Sequence, residues 1–404
     1  MNNIIKNNLI AKTFAFSLIS MSCFTHAANN CTNSPVNPNG NASKLKEALQ
    51  QATNTGKALR LTGTYRIGSD MQVFLKKDLI VDATGATFIA TSNLDGDMFS
   101  FDAHSSLSNE CSSANVLADF KWTGGSFNMA NAKVSTVVPI TSLTPNGREG
   151  TKATADALSI RGIKQNGKNK LNELVIQNIT FTGTKSTNDA FYEAGGDSGI
   201  LMSGALKATI KNNKFYGVRD AAIYVTAGGD NGQYGDYFTM SNNYIERAYD
   251  GITSKRGADN IKMTNNTMQD VVVGLSVKRV YDGWTATNVT IKSNKITAAV
   301  RPISVERANN VVIESNEILQ LGNKVANQDT AINKYGRHYE GIALNGVQGT
   351  NVIKNNTIKG ITGKREGTTT TYGIVTRAED GRTTTGVSKI ANRFSNLDKW
   401  SKAL

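Results

Sequence analysis

Residues 243–316 read NYIERAYDGITSKRGADNIKMTNNTMQDVVVGLSVKRVYDGWTATNVTIKSNKITAAVRPISVERANNVVIESN. Laid against itself, the stretch repeats an Asn followed nine residues later by an aliphatic: Asn243 to Ile252, Asn266 to Leu275, Asn294 to Ile303. A Gly or Pro stands just before each aliphatic. Successive asparagines are 22 to 28 residues apart, a solenoid period, and the runs between them are short and β-branched rather than spaced for helices. The pattern predicts an all-β, single-stranded parallel β-helix.

The template extends both ways. The Asn column is expected to run Asn178, Asn213, Asn243, Asn266, Asn294, Asn316, Asn356, and the aliphatic column Ile200, Ile223, Ile252, Leu275, Ile303, Ile342, Ile374. When coils stack, the aliphatics pile up inside and the Asn amides bond to their copies, as Asn ladders do in cross-β stacks. These columns therefore specify a scaffold and leave the chemistry to other residues.

Residues 1–27 carry Lys6 and Lys12, an apolar core from Phe14 to Phe24 and a small-residue exit at Thr25-His26-Ala27, which fits a secretory signal peptide. The apolar run is too short to span a bilayer, and Ser20 stands where a lipoprotein site around Cys23 would have Leu. The mature chain, residues 28–404, is expected as one domain, secreted or periplasmic, with no stable membrane insertion. Losing two lysines takes the formal charge from +13 to +11. Few aromatics are interleaved with those lysines, so the field points to an acidic polysaccharide as partner rather than to nucleic acid. Cys31 and Cys111 remain, an even pair expected to form a disulfide in an oxidising compartment.

Residues 41–56 place Leu45, Ala48, Leu49 and Ala52 on one helical face, a capping helix for the open apolar end of the solenoid. LRLTGTYRIG (59–68), MQVFLKKDLIVDATGATFIA (71–90) and MFSFDA (98–103) follow as alternating strands. A helix, then Gly-x-Tyr-x-Ile, then a strand ending Gly-Ala-Thr-Phe resembles the opening of pectate-lyase-like right-handed β-helix proteins, a group of polysaccharide lyases, glycosidases and phage depolymerases. The resemblance spans residues 41–376 and implies the right-handed fold; the reaction must be argued from the site. From Gly381 the repeat fades, and residues 381–404 are expected to form a C-terminal cap.

Excess length between repeat positions must leave the coils as loops: about 183–197, 321–339 and 360–371 on one side, 228–237 and 280–287 on the other. Walls on both sides of one strand column would make a cleft. If Ile252, Leu275 and Ile303 point inward, strand alternation points Thr253 and Lys255, Ser276 and Lys278, Ser304 and Glu306 outward, with Tyr224 one coil earlier. Arg256, Arg279 and Arg307 come just beyond. Asp250, Arg301 and Glu340 share parity with the inward aliphatics and reach the groove only if the chain turns at Gly251, Pro302 and Gly341. His338, Tyr339 and Glu340 are expected to touch substrate, as are Tyr224, Arg256, Arg301, Glu306 and Arg307.

Two chemistries fit. A lyase acting on a uronic-acid polymer neutralises a carboxylate, removes the C5 proton and protonates the leaving oxygen. A lysine crowded by like charges suits the second task. Asp250-Gly-Ile-Thr-Ser-Lys255 is similar to the alginate lyase and chondroitinase B family, in which a metal-binding carboxylate precedes a base lysine by five positions. The resemblance implies Asp250 as a metal ligand and Lys255 as base. The ion expected is Ca²⁺, and Lys278 and Arg279, one coil on, are expected beside Lys255 in the catalytic set. The next coil departs from that family, carrying Lys278-Arg279-Val280 in place of Arg-His-Gly, so the proton donor stays open. The alternative is a glycoside hydrolase built on two of Asp250, Glu306 and Glu340. A third reading is a non-catalytic polysaccharide-binding surface protein.

Overall fold

The computed structural model describes residues 33–103, 118–132, 156–162, 171–183, 198–227, 235–278, 285–297, 300–322, 338–361 and 370–403. Residues 31–404 cluster as one compact unit. Its architecture is the expected all-β solenoid: the strands pair in parallel, each with its copy one coil on, in three columns. The signal segment, Cys31, Cys111, Arg279 and the bodies of the wall-forming loops lie outside the described residues.

The helix Ala42–Thr55 starts at an Asn41 N-cap and stops at Gly56, whose φ of 71° only glycine adopts at no steric cost. It buries Leu45, Ala48, Leu49 and Ala52 over the first coils, so the apolar end is covered as expected. Beneath it a cluster of Phe88, Phe99, Trp122 and Phe127 fills the wide early coils.

The aliphatic column is a register line: Ile200 pairs with Ile223, then Ile252, Leu275, Ile303, Ile342 and Ile374, all fully buried. The asparagine column is a hydrogen-bonded ladder. From Asn213 through Asn243, Asn266, Asn294, Asn316 and Asn356, each Nδ2 donates to the Oδ1 of the next at 2.9–3.0 Å. Each backbone N–H donates to the same Oδ1.

Two details differ from the expected columns. Asn178 does not occupy the ladder: it has φ 59°, as do its equivalents Asn212, Asn242, Asn265 and Asn355 within a few degrees. The first Asn of each Asn-Asn pair turns the corner in the left-handed region, which its short polar side chain tolerates, and the second makes the ladder. After Asn178 the ladder slot falls to Ile179, whose N–H donates to Asn213 Oδ1. At the other end the faded repeat still folds as a coil. Val387–Ile390, Arg393–Ser395 and Lys399–Ala403 continue the three columns, and Asn392 adds the last rung. This coil leaves Ile390 and Trp400 more than half exposed.

Candidate functional site

The site face is the column containing Asp250–Lys255, Val273–Lys278, Arg301–Glu306, His338–Asn345 and Thr370–Arg377. The corner at its start decides which side chains it presents. A Cβ at Gly251 would lie 2.6 Å from Met268 Sδ, and one at Gly274 3.1 Å from Ile296 Cδ1, both core atoms. These glycines face inward beside the inward aliphatics. Asp250, before Gly251, is thrown outward despite its sequence parity; Arg301, in register with it through Val273, lies on the same face with Glu340, which it meets at 2.7 Å.

Two outward columns result, flanking a floor of hydroxyls. One holds Asp250, Arg301 and Glu340, with Val273, between the first two in register, packed in the core; the other holds Lys255, Lys278, Glu306, Asn345 and Arg377. On the floor between them Ser276 Oγ donates to Thr253 Oγ1 at 2.8 Å, while the buried Ser304 Oγ has no hydrogen-bond partner among the described residues. Tyr224 stands one coil earlier, and Lys255 Nζ lies 4.4 Å from its ring centroid in a cation–π contact.

The columns are tied to each other across coils. Lys278 Nζ meets Asp250 Oδ2 at 2.6 Å with both side chains nearly buried, and Asp250 Oδ1, also buried, has no hydrogen-bond partner among the described residues. Glu340, fully buried, is held between Arg301 Nη2 at 2.7 Å and the Arg377 guanidinium. A carboxylate taken wholly out of water persists only with such charge-assisted contacts. Burial, with Arg301 beside it, lowers the Arg377 guanidinium to about 10. Desolvation pushes the Glu306 carboxyl above its ordinary value against the pull of Lys278 and Arg301.

Other expected positions separate. Arg256 and Arg307 sit past the strand ends with φ 62° and 49°, partly exposed. His338 packs edge-on to Tyr372, 5.2 Å between centroids, at the mouth of its strand. Tyr339 does not line the groove: strand alternation against the outward Glu340 turns it into the core, 3% exposed, beside Gly322.

Among the described residues, Asp250 is not joined by further carboxylates as a metal ligand set would be. Ca²⁺ takes six to eight oxygens, whereas one Asp250 oxygen is engaged by an ammonium and, among the described residues, no three His, Cys, Asp or Glu side chains gather around one point.

Sequence reasoning missed the use made of the position two before each core aliphatic. Toward the N-terminus the same column holds Asp97 and Asp156, and their carboxylates accept from the backbone N–H of Asp156 and Ser198 at 3.1 and 2.6 Å, stitching the corner. Reading residue −2 from Phe99, Leu158, Ile252, Ile303 and Ile342 would have found Asp, Asp, Asp, Arg and Glu as one line.

Residues 161–392, 232 of 404, match the family described as right handed beta helix region. No curated protein matches the chain. Among solved structures, the A-module of an Azotobacter vinelandii mannuronan C-5 epimerase is 13% identical with a TM-score of 0.45, over 88% of this chain and 93% of that one. A Yersinia enterocolitica family 28 exopolygalacturonase is 14% identical at 0.42, over 88% and 75%. The Streptococcus pneumoniae surface protein and adhesin PfbA is 14% identical at 0.43, over 93% and 99%. Among the described residues no helix is long and apolar enough to cross a membrane.

Proposed function

The chain belongs to the right-handed β-helix family, and on that scaffold we propose that it cleaves a uronic-acid-containing polysaccharide by β-elimination, outside the cytoplasm, with Lys255 as base. One observation carries the reading. Lys278, Arg301 and Arg377 each hold a carboxylate, whereas no described carboxylate lies in ion-pair range of Lys255, whose Nζ rests on the face of Tyr224. A nitrogen that must take up a proton cannot be committed to a salt bridge. Arg301 and Arg377 share the single carboxylate of Glu340, and the positive charge left over draws the substrate's carboxylate.

In the step proposed, the C5–H bond breaks and its proton moves to Lys255 Nζ. The electron pair left behind forms the C4–C5 double bond, and the C4–O bond breaks with protonation of the leaving oxygen. The hydrolase alternative is weakened because both oxygens of Glu340 are occupied by guanidinium groups, which leaves Asp250 and Glu306 as its only pair.

Incubation of the exported protein with polymannuronate, polyguluronate, polygalacturonate and hyaluronate, followed by mass spectrometry, tests this. Products bearing an unsaturated sugar and no added water are expected from at least one polymer, and Lys255→Ala should abolish them. Products with added water would establish the hydrolase, and binding without cleavage the third reading.

A further inference from the structure

We infer that Glu306 is the second catalytic group of this site, the acid that hands a proton to the departing glycosidic oxygen. The inference rests on the β-elimination reading above. Lys255 pairs in register with Lys278, and the pairs Ser276 with Ser304 and Val277 with Val305 put Glu306 on the next rung of the same outward column. Lys255 and Glu306 thus stand two rungs apart, roughly 10 Å between Cα atoms. Two long side chains can close that gap on the two faces of one sugar.

Pairing singles out the same two groups. Among the described residues Glu306 makes no hydrogen bond or ion pair, as Lys255 makes none with a carboxylate, while Lys278 on the rung between them is drawn to Asp250 at 2.6 Å. The structure leaves one base and one acid uncommitted on either side of a neutralised pair. Desolvation keeps the Glu306 carboxyl protonated to higher pH than a solvated glutamate, which suits a proton donor.

The step balances. Lys255 gains the C5 proton, the C4–C5 double bond forms as the C4–O bond breaks, and the oxygen takes the proton of Glu306. The site ends as ammonium and carboxylate and is reset by exchange with solvent.

Glu306→Gln, assayed in D₂O on whichever of the four polymers the parent protein cleaves, separates the roles. Cleavage should fall by about a hundredfold or more. Lys255 should still remove and return the C5 proton. Because the ammonium formed carries two deuterons beside the abstracted proton, about two returns in three would place deuterium at C5. NMR should therefore show C5 exchange in uncleaved polymer, and Lys255→Ala should lose both exchange and cleavage. Retained cleavage in Glu306→Gln overturns the assignment. Loss of exchange along with cleavage assigns Glu306 to binding or structure, and the uncoupled phenotype in Tyr224→Phe instead would move the acid to Tyr224. Were the parent protein to yield only water-added products, the β-elimination reading itself would have failed.

Discussion

Asp250 and Lys278 show how far charge pairing constrains single residues here. With both partners nearly buried, removing one leaves the other desolvated and uncompensated, a loss of about 3–5 kcal/mol in well-packed cases. Asp250→Ala and Glu340→Ala are each expected to destabilise by that order in denaturant unfolding. Lys255→Ala should lose about 2 kcal/mol, the scale of its buried contact with Tyr224 and less than either carboxylate variant. Activity and stability should thus separate at Lys255 and fall together at Asp250. Glu306 gives a pH signature. The folded chain holds this proton to higher pH than the unfolded chain, so stability present below the ordinary value of 4.5 is lost as pH rises through the raised folded value. Glu306→Gln should accordingly be more stable than the parent at neutral pH, with the advantage disappearing by about pH 4; thermal melts at both values would read this, and an advantage that persists in acid would refute the sign.

At the level of the element, the asparagine ladder and the glycine corner carry the geometry. Asn266 accepts from Asn243 N–H and Nδ2 and donates to Met240 O and Asn294 Oδ1. Asn266→Ala strands the buried Asn243 N–H, at about 1–3 kcal/mol for each such group. Asn392→Ala, at the partly exposed last rung, should cost distinctly less, and equal midpoints for the two variants would argue against a cooperative ladder. The corner is less forgiving. A Cβ at Gly274 would stand 2.4 Å from the carbonyl oxygen of Pro302, a backbone atom that cannot swing away. Gly274→Ala should therefore shift the rungs that aim Asp250 and Arg301, lowering both melting temperature and turnover, whereas the same change at Gly381, with nothing within 4 Å, should leave turnover untouched.

Across the whole molecule, a formal charge of +13 surrounds a solenoid whose mid-coils gather cations on one face. Association with a polyanion should weaken with salt, since the screening length falls from about 10 Å at 0.1 M to about 3 Å at 1 M. KM should rise steeply with sodium chloride while kcat, set inside the nearly buried site, changes little; a salt-independent KM would argue for a neutral substrate. The architecture needed only the sequence. A period of 22 to 28 residues, Asn-Asn corners and aliphatics nine residues on are local patterns that repeat, and repetition converts each local choice into a column. The outward placing of Lys255, Lys278 and Glu306 followed from alternation alone. Alternation fails at a corner, however: whether Asp250, Arg301 and Glu340 faced the groove depended on where the Cβ of Gly251 and its equivalents would point. Pairing was still less legible, because Lys278 with Asp250, and Glu340 with Arg301 and Arg377, join residues 28 to 39 positions apart that only stacking makes neighbours. The sequence by itself determined the coil and its repeating faces; only the tertiary structure decided which charges neutralise one another and which are left to act.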